Sequence, residues 1–296
     1  MRVFVAGAGG FIGGAVTALL ERYGHEVTAH VRSRDGDVRA GSVPRGTDLV
    51  VNSAGRLGGA GVDESALDEG NTAPARVLAG EASRLGIPIV HLGTPGVTGL
   101  AAGASEDLPP APWGPYERSK ARAEEVLRSI VPEGMLTILR PDFVYGPGDF
   151  HKAALFRQAA KGWFPMVGMG GARIRPTFVL DVARACIEAM PGGRLEGGVF
   201  NIGGPEVVTV SELVAAVGRA LGRRVLRVPV PRAAFRAAIA IGLFGRVLSE
   251  SRYMLFGRDH FVSIEKASSA GFTSCTGLAS GLASTVTWLR SEGLVP

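Results

Sequence analysis

MRVFVAGAGGFIG, residues Met1–Gly13, opens the chain. Val3–Ala6 is a short apolar run of the kind buried in a parallel sheet. Glycines follow at Gly7, Gly10 and Gly13, and a helical pattern runs from about Ile12 to Tyr23. Strand, glycine turn and helix in this order predict a fold and a ligand class together. Gly7 serves the tight turn, Gly10 lets backbone approach a pyrophosphate, and Gly13 lets the helix pack close to the strand. Phosphates then meet free N–H groups and the positive end of the helix dipole. The spacing is G-x-x-G-x-x-G, not G-x-G-x-x-G. Three glycines among 43 can align by chance, and a ligand-free turn is the alternative. The position directly after a strand favours binding.

Beyond this unit the first half alternates strand and helix. Val27–Val31, Asp48–Asn52, Ile87–Leu92 and Leu136–Leu139 read as strands, and Ala66–Leu85 and Tyr116–Ile130 as helices. That alternation predicts an α/β fold, a Rossmann-type doubly wound parallel sheet. The second half is less regular. Phe150–Lys161 reads as a helix, Thr177–Val179 and Val199–Ile202 as short strands, and another helix opens at Thr209 or Ser211 with Glu212 in its first turn. Arg232–Leu248 reads as an apolar helix with scattered arginines; internal packing is favoured for it over a place on a membrane surface. The expected division is a nucleotide-binding domain over residues 1–145 and a smaller substrate-binding lobe over 146–296, with the chain returning to the first domain near 178–190.

At 296 residues and 46% apolar content the chain can bury a full core. The charge of +5 and pI of about 9.6 are mildly basic with no dense Lys/Arg run. An anionic cofactor accounts for that excess, and no nucleic-acid partner is expected. Cys186 and Cys275 are the only cysteines, and the five histidines show no H-x-x-x-H pair, so no metal is expected. The first strand begins at residue 3, and the most apolar stretch, Ala237–Phe244, is too short to span a bilayer. The expectation is a cytoplasmic protein without a transmembrane segment.

Tyr116 and Lys120 stand four apart in YERSK and share one face of the expected helix. A lysine ammonium beside a phenol favours phenolate, lowering a pKa of about 10 towards the range useful for acid/base work. Thr94 follows the fourth strand in HLGTPGVTG, at the sheet edge where such folds bind ligands. A hydroxyl there can polarise a carbonyl as Tyr116 delivers a proton; a turn Thr capping its own backbone is the competing explanation.

These residues resemble the extended short-chain dehydrogenase/reductase family, also called the NAD-dependent epimerase/dehydratase family. GAGGFIG at Gly7–Gly13 resembles its cofactor loop, including Phe11 and Ile12. VVNSAG at Val50–Gly55 resembles its next signature, and Asn71 opens a segment resembling its N-x-x-G-T helix in part. RPDFVYGPGD at Arg140–Asp149, FVLDVARA at Phe178–Ala185 and VFNIGG at Val199–Gly204 match later ones. The resemblance implies Thr94, Tyr116 and Lys120 as catalytic residues, with Lys120 also on the nicotinamide ribose. It implies Pro141 and Val144 beside the nicotinamide, and Ala54 and Gly55 against the cofactor. Arg140 has an equal reading as a structural ion-pair partner. Helices Ala66–Leu85 and Tyr116–Ile130 resemble those of the family's homodimer interface.

The chain also departs from the family. NAD-preferring relatives end the second strand with an acid; here Val31 stands there, Arg32 follows, and no carboxylate comes before Asp35. An arginine there can pair with a 2′-phosphate, which favours NADP(H), with NAD as the alternative. Only a short interval separates Val31 from Asp48, where the family fits a further helix and strand. Asp37-Val38 is the candidate remnant of its adenine pocket. Pro95 and Gly96 stand where dehydratases carry acids, which disfavours dehydration, and no cysteine lies near the site.

The leading expectation is hydride transfer between NADP(H) and an alcohol/ketone pair on a small, hydrophobic substrate, as in relatives resembling 3β-hydroxysteroid dehydrogenases and dihydroflavonol reductases. Trp163, Phe164, Met166 and Met169, with Phe235, Ile239, Ile241, Leu243, Phe244, Met254 and Phe256, are candidates for an apolar pocket or for core. The alternative is a nucleotide-sugar epimerase with retained NAD, using Arg173, Arg175 and Arg252 on a diphosphate. A non-catalytic NADP-binding sensor or scaffold is the reading from another class.

Overall fold

The computed structural model describes residues 1–58, 62–99, 101–241 and 250–296. The amino-terminal part runs β1 (Arg2–Ala6), α1 (Phe11–Arg22), β2 (Glu26–His30), α2 (Arg32–Asp35), β3 (Leu49–Asn52), α3 (Glu64–Leu85), β4 (Ile89–Leu92), α4 (Pro115–Ile130) and β5 (Leu136–Pro141). Then follow β6 (Val144–Tyr145), α5 (Ala153–Ala160), β7 (Trp163–Val167), β8 (Arg173–Ile174), β9 (Thr177–Phe178), α6 (Val179–Glu188), β10 (Gly198–Ile202), β11 (Val208–Thr209) and α7 (Val210–Ala220). The chain closes with β12 (Leu226–Val230), α8 (Arg232–Ala240), α9 (Glu250–Gly257), α10 (Glu265–Ser269) and α11 (Leu278–Ser291).

Six parallel strands form the central sheet in the order β10-β5-β4-β3-β1-β2. The alternation along β1 shows why it is buried on both faces. Val3 and Val5 face a core shared with Val16 and Leu20 of α1 and Val182 and Ala183 of α6. Phe4 and Ala6 face a second core with Leu78 of α3 and Leu127 of α4. Period two on the strand thus feeds two helical layers.

The interval after β2 holds one helical turn, α2, and a loop that reaches β3 without another strand, so β2 is a sheet edge. Asp37 is exposed there, and Val38 leans on the α3/α4 core. After β5 the chain builds a separate core between α5, α7 and α11, and returns to the main sheet through α6 and β10. Thr209 caps α7 in a capping box with Glu212. The expected Arg232–Leu248 helix ends at Ala240, and 242–249 lie outside the described residues. No helix among the described residues is long and apolar enough to cross a membrane.

Candidate active site

The first glycine turn has the geometry its sequence implies. Gly7 has φ +80°, and a Cβ there would stand 2.7 Å from the backbone of Ser53 and Ala54. A Cβ on Gly13 would lie 2.1 Å from the Gly7 carbonyl oxygen. Both glycines are therefore fixed by close backbone approach, between the ends of β1 and β3. Gly10 is the extended N-cap of α1, and Phe11, Ile12 and Gly13 form its first turn, where N–H groups lack helical partners. No acid stands in that turn. Ala54 and Gly55 continue this floor; the Ala54 N–H donates to Asn52 Oδ1 at 3.1 Å. An open helix N-terminus over a floor that excludes Cβ atoms suits a dinucleotide pyrophosphate.

At the tip of β2, Arg32 Nε pairs with Asp37 Oδ1 at 2.6 Å, both side chains being well exposed. Asp35 folds back so that Oδ2 accepts the Val31 N–H at 2.8 Å. A carboxylate thus reaches the strand end although Val31 itself is apolar. Hydrogen bonds from Arg34 and Val31 hold its pKa down at about 2.

Thr94 leaves β4 as the cap of a 3₁₀ turn over Pro95–Thr98, its hydroxyl accepting from Gly96 N at 3.4 Å. Tyr116 and Lys120 lie in the first turns of α4. Asn71 of α3 fixes that helix: its Nδ2 donates to Ser119 Oγ at 2.9 Å, and Ser119 Oγ donates to the Tyr116 carbonyl at 2.8 Å. Lys120 is buried and its Nζ donates to the Leu92 carbonyl at 2.6 Å, tying α4 to the end of β4.

Burial acts on the protonation of both residues. Burial pushes the Tyr116 phenol well above its ordinary 10, reinforced by the neighbouring Glu117. Burial pulls the Lys120 ammonium down to about 8, opposed by Glu124. Tyr116 is partly exposed, and its burial favours the neutral phenol over the phenolate.

Pro141 ends β5 and Val144 opens β6, both buried, bracketing Asp142 and Phe143. Arg140 proves to be an ion-pair partner: its Nε and Nη2 donate to Glu124 at 2.9 and 2.6 Å, with both side chains buried. The segments RPDFVYG and RDHFVS meet in a cluster that the sequence did not announce. Asp142 is fully buried, and its Oδ1 lies 3.7 Å from His260 Nδ1 with neither atom otherwise partnered. Its Oδ2 accepts from Val262 N at 3.3 Å. Burial raises the Asp142 carboxyl to about 6, against the pull of His260 and Arg175. Burial also raises Glu117, whose side chain fills the space left by Gly96 and Gly114. Phe143, next to Asp142, holds φ +29°, a rare value outside glycine. An acid directly after Arg140-Pro141 was the available signal.

Other candidates separate. Phe164 and Met166 are buried against α5 and α7 as core, whereas Trp163 and Met169 are exposed. Strand alternation along β7 separates Trp163 from Phe164 and Met166, and Met169 lies in the turn beyond the strand. Phe235 packs with Val167 and Tyr253, flanked by Ile239, Met254 and Phe256, and Ile241 is exposed. Leu243, Phe244 and the side chain of Arg252 lie outside the described residues. Arg173 is held by Asp259 at 2.6 Å, and Arg175 donates to the carbonyls of Val262 and Gly204.

A model of the NAD dependent epimerase/dehydratase family matches residues 3–203. The chain is 28% identical to a 2-alkyl-3-oxoalkanoate reductase of Stenotrophomonas maltophilia over 252 residues, 75% of this chain and 76% of that one. It is 29% identical to a dTDP-4-dehydrorhamnose reductase of Mycobacterium tuberculosis, covering 79% of this chain and 80% of that protein. Among solved structures it is similar to MoeE5 in complex with UDP-glucuronic acid and NAD. The TM-score is 0.76 at 25% identity, over 99% of this chain and 100% of that one.

Proposed function

The chain belongs to the NAD-dependent epimerase/dehydratase family, and from that premise we propose that it reduces the ketone of a small, hydrophobic substrate with a nicotinamide dinucleotide. The protonated Tyr116 phenol beside buried Lys120 carries this reading. The cofactor, when bound, supplies the hydride to the carbonyl carbon. Gly7, Gly10 and Gly13, with the N–H groups of Phe11 and Ile12, would take its pyrophosphate, and Ala54 and Gly55 would lie against it. Pro141 and Val144 would border its ring. Thr94 would donate to the carbonyl oxygen while Tyr116 passes its proton there. Lys120, near pH 8 half-charged, would hold ribose and stabilise the phenolate left behind.

The finer reading is NADP(H). Arg32 begins a helical turn at the tip of β2, and its partner Asp37 is solvent-exposed. An exposed ion pair contributes little, so the guanidinium can exchange it for a 2′-phosphate. Asp35 at the same tip favours NAD instead, with its carboxylate near the ribose position. Likeness to the 2-alkyl-3-oxoalkanoate reductase supports a lipophilic 3-oxo compound. The reading includes a homodimer through α3 and α4 and a cytoplasmic location.

Titration with NADPH and NADH, followed by a panel of 3-oxo acids and ketones, tests the proposal. Exchangeable cofactor and ketone turnover are expected, with Tyr116→Phe losing turnover but keeping cofactor affinity. Arg32→Ala should weaken NADPH far more than NADH; equal losses would remove the phosphate role. Likeness to MoeE5 with its nucleotide sugar and NAD favours a second reading, sugar-nucleotide epimerisation. Tightly retained NAD and no ketone turnover would support that reading against ours. Cofactor binding with neither activity would leave a sensor or scaffold.

A further inference from the structure

One face of the C-terminal lobe differs in composition from the rest of the chain. Residues 213–241 contain six arginines and neither a lysine nor an acid, in a protein with 27 acids. Arg223, Arg224, Arg227, Arg232 and Arg236 are exposed. Arg223 donates to the Ala160 carbonyl, Arg227 to the Ser211 hydroxyl at 2.9 Å and Arg232 to the Gly257 carbonyl at 3.1 Å. Arg236 lies over the Tyr253 ring, 4.9 Å from its centroid. None of the five pairs with a carboxylate among the described residues, so their charge stands at the surface uncompensated by an ion-pair partner.

Arg227, the register partner of buried Phe164, faces α7, and the neighbouring apolar side chains form the opposite face of the β7/β12 pair. Trp163 of β7 and Leu226 of β12 are register partners, 42% and 67% exposed. Because strand side chains alternate, Pro165 with Val228 and Val167 with Val230 continue the same face. Its far end is roofed by Phe235 of α8 and Tyr253 of α9, which pack on Val167 and Val230. Its near end, Trp163 and Leu226, is open to solvent. On helix α8, Phe235 and Ile239 turn to that small core, and Arg232 and Arg236, on the same stripe, flank it with exposed side chains. Ile241, just past α8, is 74% exposed.

We propose that this face seats on an anionic phospholipid surface, with Trp163, Leu226 and Ile241 entering the headgroup layer and Arg224, Arg232 and Arg236 pairing with lipid phosphates. Single-sign charge around exposed tryptophan and aliphatic side chains matches an interfacial membrane contact. Nucleic acid would engage the arginines but leave Leu226 and Ile241 in water. The seat also adjoins the substrate side of the molecule, since Phe256 of α9 meets Phe143 edge-on with centroids 6.1 Å apart. Delivery of a lipophilic ketone from the bilayer rests on the function proposed above; the docking itself does not.

Vesicle sedimentation of the full chain tests it without any substrate. Vesicles of phosphatidylcholine with phosphatidylglycerol should bind at least about tenfold tighter than phosphatidylcholine alone, with loss in high salt. Tryptophan emission should shift to the blue on binding, and Trp163→Phe should abolish that shift. Arg224→Gln/Arg232→Gln/Arg236→Gln should lose binding. So should Leu226→Glu, at a position too exposed to unsettle the fold, with cofactor affinity and melting temperature unchanged. Equal binding to both vesicle types, or wild-type binding by Leu226→Glu, overturns the proposal. So does binding of duplex DNA as tight as that of anionic vesicles.

Discussion

Replacing Asp142 with asparagine should stabilise the protein at neutral pH while leaving it unchanged in acid. The carboxyl is fully buried, and its Oδ1 faces His260 Nδ1 at 3.7 Å without a hydrogen bond. His260 and Arg175 are the titratable and charged side chains that act on it. Burial raises its pKa from 3.8 to about 6 despite the attraction of His260 and Arg175. The native state therefore holds this proton more tightly than the unfolded chain. The stability the group contributes is fully present below about pH 4 and is lost as pH rises through about 6. At about 1.36 kcal/mol per pH unit, the penalty at pH 7.5 comes to roughly 3 kcal/mol. Asparagine keeps the shape and the acceptor for Val262 N but never ionises, so it recovers most of this above pH 6. Melting temperatures measured from pH 4.5 to 8 should diverge by roughly 5 °C at the alkaline end and converge at the acid end. A variant that is less stable at pH 7.5, or offset equally at every pH, would refute the reasoning. It would mean that Asp142 and His260 form a closed ion pair whose loss outweighs the burial of charge.

Three further outcomes follow from distances and protonation. Gly13→Ala places a methyl 2.1 Å from the Gly7 carbonyl oxygen; cofactor affinity should drop at least about tenfold, with about 1–3 kcal/mol of stability lost to overpacking, as read by titration and denaturant melts. Glu124→Gln strips the buried Arg140 guanidinium of its carboxylate, which should cost about 3–5 kcal/mol in urea unfolding; a loss below 1 kcal/mol would mean the pair is not buried in solution. Turnover should decline as pH rises through about 8, where Lys120 sheds its proton, and Lys120→Arg should move that limb upward. A profile flat to pH 10 would detach Lys120's charge from the reaction.

What the sequence disclosed is what short-range pattern can encode. The four residues Val3–Ala6 alternate between two cores, and Gly7 and Gly13 sit where a Cβ has no room. The four-residue spacing of Tyr116 and Lys120 needed only the helix period. Their proton balance was hidden, because it depends on how completely α4 buries them and on where Lys120 Nζ finds an acceptor, the Leu92 carbonyl. Asp142 and His260 were hidden for another reason: they come from segments far apart in the chain, joined when the Arg173–Ile174 strand runs beside His260. Asp35 was passed over because its helical turn brings a carboxylate back to a strand end that the linear sequence shows as Val31. For Phe164 and Met166 the signal was present, since the period of a strand turns both to one face of WFPMV, opposite exposed Trp163.

The protonation of the site also bears on direction. A phenol held above its ordinary pKa by burial gives up its proton only when the phenolate it leaves is stabilised, and Lys120 is the only cation among the described residues that follows Tyr116 on the same face of α4. Reduction uses the proton already in place and ends on that phenolate. Alcohol oxidation must begin from it, at a cost set by how far burial raises the phenol. Under the proposed function, a neutral phenol suits the reductive direction near neutral pH. Raising the pH creates more phenolate but also discharges Lys120, its stabilising partner, near pH 8. The two groups oppose one another along the pH axis, which confines efficient oxidation to a narrow window even where the phenolate is most needed.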